Sequence, residues 1–80
     1  MHEVGICEDV LDAVLQRADG RTVRNVKLRV GIAHHMTGEL FDRTFPLVAA
    51  GTVAADAHLD VDIVDGDDLL LESITVAREQ

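Results

Sequence analysis

The residues with the most chemistry in them open the chain: Met1-His2-Glu3. The α-amino nitrogen of Met1, the backbone nitrogen of His2 and Nδ1 of its own imidazole can close adjacent chelate rings on one metal ion. Glu3 can add its carboxylate or its backbone nitrogen. A nitrogen-rich, roughly square-planar donor set suits Ni(II) and Cu(II). An α-amine titrates near pH ~8, and every donor must shed its proton, so affinity weakens as the pH falls. A frayed and solvated terminal histidine would explain the same three residues without a metal.

Other candidate donors are weaker. His34 and His35 are adjacent at the end of a strand-like stretch. Neighbours on an extended chain point to opposite faces, so the pair is a poor clamp. They read as exposed loop histidines, with one of them facing a metal at His2 if the fold brings the two together. Cys7 lies one helical turn from Glu3, but it belongs to an apolar stripe and reads as a small buried residue. His58, Asp60 and Asp62 share one side of a strand and read as a solvated face. The run from Asp60 to Glu72 has the wrong spacing for a calcium loop, with Val64 in a ligand position. No serine or cysteine nucleophile has a placed base, and no glycine loop is built for phosphates, so an enzyme is not expected.

The elements that must position these groups follow from periodicity. Cys7, Val10, Leu11, Val14, Leu15 and Ala18 mark one face of a helix over Glu3–Asp19, with Gly20 as its stop. Val26, Leu28, Val30 and Ile32 alternate with Lys27, Arg29 and Gly31 in a strand over Arg24–Ala33. Thr37 caps a second helix over Gly38–Ala50, with Leu40, Phe41, Thr44, Phe45 and Val48 inward. Pro46 cannot donate to the carbonyl of Asp42, so a kink or an early end is expected there. A second strand over His58–Val64 turns inward Leu59, Val61 and Ile63. Asp65-Gly66 reads as a hairpin turn into a third strand over Leu69–Ala77. In that last strand Leu69 and Leu71 differ in parity from Leu70, Ile74 and Val76, which calls for burial on both faces or for a bulge. The expected fold is α+β, in the order α-β-α-β-β. Two helices pack on one face of a three-stranded mixed sheet, with the first two strands parallel and the last two an antiparallel hairpin.

Composition narrows the function. Eighty residues make one small domain that buries only about 60% of its unfolded surface. Its aromatic content is two phenylalanines and its cysteine content one, so neither a disulfide nor a Cys₄ zinc site can form within the chain. A homodimer is one way to add stability to so small a core. The net charge of −8 argues against nucleic acid. No apolar run is long enough for a membrane span, and nothing reads as a targeting segment, so the expected location is cytoplasmic.

Met-His-Glu opening an amphipathic helix resembles the HypA/HybF family of hydrogenase nickel-insertion proteins. So, in the same order, do Val26-Lys27-Leu28-Arg29-Val30-Gly31, Phe45 with Gly51-Thr52-Val53-Ala54, Ala57-His58-Leu59-Asp60-Val61, Gly66-Asp67-Asp68-Leu69 and Ser73-Ile74-Thr75-Val76. The resemblance implies a nickel metallochaperone holding Ni(II) at Met1, His2 and Glu3, with His34 and His35 as further candidates. It also implies a HypB-type GTPase partner and a hydrogenase large subunit as recipient. The family carries a zinc ribbon of two Cys-x-x-Cys pairs between its second and last strands. Here Val64-Asp65-Gly66-Asp67 joins those strands directly, so residues 1–80 are expected to form the nickel-binding domain alone, with no structural zinc. The other reading is a protein-interaction module that keeps the HypA-like fold, binds no metal and acts on maturation factors.

Overall fold

The computed structural model describes residues 2–78. Helix α1 spans His2–Ala18, strand β1 Val23–Gly31, helix α2 Gly38–Ala49, β2 His58–Val64 and β3 Leu69–Val76, with a 3-10 turn at Ile32–His34. The mixed α+β architecture is the expected one. Strand β1 is central, in the order β2-β1-β3, parallel to β2 and antiparallel to β3. Helix α1 packs against β3, α2 against β2, and the two helices against each other.

The core is where the stripes meet. Cys7, Val10, Val14 and Ala18 of α1, Val26, Leu28 and Val30 of β1, and Phe41 and Phe45 of α2 are buried together. In the wet face of the sheet, Lys27 and Arg29 of β1 stand in register with Asp60 and Asp62 of β2. The central strand is the basic one and its parallel edge the acidic one, so opposite charges are neighbours across the ladder.

One expectation about connection is overturned. β2 and β3 do not pair as a hairpin; β1 lies between them. Residues 65–68 therefore cross the end of β1 instead of turning back on β2. Strands two places apart are separated by roughly 10 Å, a gap four residues can span. The crossing runs so close over Gly31 that a Cβ there would overlap the Gly66 carbonyl and the Asp67 nitrogen. Gly66, at φ +95°, makes the bend.

Three local expectations are also corrected. Strand β1 stops at Gly31 rather than Ala33, and Ile32, expected inside, is exposed on the 3-10 turn that follows. Helix α2 runs unbroken through Pro46 to Ala49. Pro46 sits in its last turns, where one lost backbone bond can be tolerated because Phe41, Phe45 and Ala49 anchor the inner face. Ile63 lies near the open end of the edge strand β2 and is 40% exposed instead of buried. The parity change in β3 is a bulge. Lys27 is opposite Ser73 and Leu28 opposite Leu71, leaving Glu72 as the extra residue. Glu72 turns that position to use: its carboxylate meets Arg29 at 3.5 Å and its carbonyl accepts from Arg17 at 3.3 Å. Thr37 caps α2 as expected, its Oγ1 accepting from the Leu40 nitrogen at 3.0 Å.

Candidate metal centre

The N-terminal end of α1, the 3-10 turn after β1 and the crossing at residues 65–68 meet at one end of the sheet. His2 is the first described residue, exposed at the start of α1. Met1, the expected amine donor, lies outside the described residues. The first backbone N–H groups of a helix have no partner inside it. The amide of His2 is therefore not needed by the helix, and the positive end of the helix dipole favours a nitrogen carrying negative charge.

The imidazole of His2 is not loose. Its Nε2 donates to the backbone carbonyl of His34. His34 in turn donates from Nε2 to the carbonyl of Asp67, at 2.8 Å. The fold thus brings together two of the residues singled out from sequence, with the backbone of one meeting the ring of the other. His35 is exposed and turned away by a left-handed backbone, φ 57° and ψ 34°. The alternating, extended arrangement expected for the histidine pair does not exist, because the strand ends three residues before His34.

The turn carrying His34 is tied to the crossing from two more points. The Gly31 nitrogen donates to the Asp68 carbonyl at 2.6 Å, and the Ala33 nitrogen to the Gly66 carbonyl at 3.0 Å. Gly31, Gly66 and Asp67 are the residues that the sequence reading missed here. No local pattern marks them, since Asp65-Gly66 has the composition of an ordinary hairpin turn. Only the strand order reveals the crossing.

Glu3 lies in the first turn of α1, half-buried. Cys7 is fully buried, as expected of the apolar stripe. Burial, and secondarily the Glu3 carboxylate, pushes its thiol from 9.0 up to about 11. At neutral pH it stays protonated and is a poor metal ligand. Among the described residues, no three His, Cys, Asp or Glu side chains gather to hold a metal ion. A site at this end therefore needs nitrogens from the chain's opening backbone as well as His2. No helix of the described residues is long and apolar enough to cross a membrane.

Residues 1–76 match the family model described as hydrogenase/urease nickel incorporation, metallochaperone, HypA. Among curated relatives, the chain is 37% identical over 70 residues to hydrogenase maturation factor HypA of Methylocella silvestris, covering 84% of this chain and 62% of the relative. It is 33% identical to the same-named protein of Rhizobium leguminosarum bv. viciae, covering 100% of this chain and 74% of the relative. The match to the protein of Geobacter sulfurreducens is 33% identical and covers 82% of this chain and 60% of the relative. The chain thus spans between 60% and 74% of the length of these relatives.

Proposed function

The chain belongs to the HypA family, and from that premise we propose that it is a nickel-binding accessory protein that holds Ni(II) at its N-terminal end for a nickel enzyme under maturation. The observation that carries the reading is the position of His2. It sits at the exposed start of α1, where the helix makes no use of the first backbone N–H groups, and its ring is held by the His34 carbonyl. Met1 supplies the terminal amine and Glu3 a fourth donor, completing a set suited to Ni(II). Nickel is the cargo, so the site must grip and release it; a site at an exposed helix end is open to a recipient. The protein performs no bond chemistry of its own.

The partners follow from family resemblance: a HypB-type GTPase that acts with it, and a hydrogenase large subunit as recipient. Residues 65–68 stand where the family carries its zinc ribbon, so the domain here is the nickel-binding one and structural zinc has no part in the proposal. Isothermal titration of untagged protein with Ni(II), against His2→Ala, is the test. Wild type should bind and His2→Ala should not; equal affinity would overturn the reading. An N-terminal tag should abolish binding by blocking the amine.

A further inference from the structure

We infer that His34 is a positioning residue: its backbone carbonyl, held in place by its own side chain on the crossing at residues 65–68, fixes His2 in the tautomer that binds a divalent ion through Nδ1. The inference rests on the nickel-binding reading of His2 above and says how that residue is prepared for its task.

The argument is one of donors and acceptors. A carbonyl oxygen can only accept, so the ring nitrogen of His2 that meets the His34 carbonyl must carry a hydrogen. In a neutral imidazole the other nitrogen, Nδ1, is then bare. Nδ1 is also the nitrogen close enough to the residue's own backbone nitrogen to close a small chelate ring. Free neutral histidine divides between two tautomers and many rotamers. Here one hydrogen bond selects both the tautomer and the ring orientation before any metal arrives. Metal-binding histidines are held by such outer contacts as a rule, and losing one typically weakens binding about 10–100-fold.

The acceptor must itself be fixed for this to work. The His34 ring does that by donating to the Asp67 carbonyl at 2.8 Å. The same logic places a hydrogen on its Nε2. The backbone bonds from Gly31 to Asp68 and from Ala33 to Gly66 hold the two segments together on either side. His34 therefore acts through its backbone on His2 and through its side chain on Asp67. It is a support for the donor and not a donor itself.

Two variants and one spectrum decide this. Long-range proton–nitrogen NMR of metal-free, untagged protein should show His2 and His34 protonated at Nε2 and bare at Nδ1. His34→Ala should mix the His2 tautomers and weaken Ni(II) binding about 10–100-fold. His34→Gln, whose side-chain amide can donate to the Asp67 carbonyl, should restore both the spectrum and the affinity. A His2 ring protonated at Nδ1, or a His2 spectrum indifferent to His34→Ala, would overturn the proposal. So would His34→Gln failing as badly as His34→Ala while its spectrum stays that of wild type, because His34 would then be a direct ligand. If wild type takes up no nickel, the metal-binding reading fails on its own, and the tautomer spectrum still decides the lock.

Discussion

Raising the pH from 8 to 10 should weaken the fold by about 1 kcal/mol through Cys7 alone. The thiol is fully buried in the inward stripe of α1, and burial with the nearby Glu3 carboxylate lifts it from 9.0 to about 11. The folded protein keeps a proton that the unfolded chain releases above pH 9. The contribution of this group is complete below pH 9 and is lost as the pH rises through about 11. The full displacement corresponds to roughly 3 kcal/mol, a little under half of it gone by pH 10. Few other side chains titrate in this window: the chain has no tyrosine, and Lys27 is its one lysine. Urea unfolding of wild type and Cys7→Ala at pH 8 and pH 10 measures the effect. The variant should start lower because it leaves a small cavity. Wild type should then lose about 1 kcal/mol more than the variant over the same pH step. Parallel losses would mean that the thiol is not desolvated and that the packing described for α1 is wrong.

Two further predictions test the crossing at residues 65–68 and the continuity of α2. Gly31→Ala should destabilise the fold by about 1–3 kcal/mol, because the new Cβ meets backbone of Gly66 and Asp67 that cannot rotate away; unchanged urea stability would show that residues 65–68 do not cross there. Pro46→Ala should raise stability by about 1–3 kcal/mol, since α2 continues through that position and Asp42 would regain a backbone donor; a loss of stability would mean that the proline shapes the helix end.

The elements were legible because their signals are local. The helix stripes, the Thr37 cap and the limits of β2 follow from spacing within a few residues, and the structure has them where spacing puts them. The order of the strands was not, because Asp65-Gly66 is equally good at turning back and at crossing over. A clue lay in charge: a strand carrying Lys27 and Arg29 suits a neighbour carrying Asp60 and Asp62. That pairing argues for β1 in the middle, but it needs the register to be known first. At the candidate site, His2 stood out by its chemistry at the chain start. Its link to His34 joins residues 32 positions apart and depends on a 3-10 turn that no periodicity announces. Pro46 misled for the opposite reason. Its local effect is real, but Phe41, Phe45 and Ala49 hold the helix against it.

Placing β1 between two strands that both follow it in the sequence has a consequence for biosynthesis. When residues 2–50 have been synthesised, the segments of both helices and the central strand are present, yet neither of that strand's partners has been made. The sheet cannot close until residues 58–76 arrive, and Asp67, on which His34 rests, lies in that later stretch. A nascent or prematurely released chain would carry His2 with nothing to orient it. Orientation of His2 by His34 is thereby tied to synthesis of the crossing at residues 65–68, a dependence that arises from strand order alone.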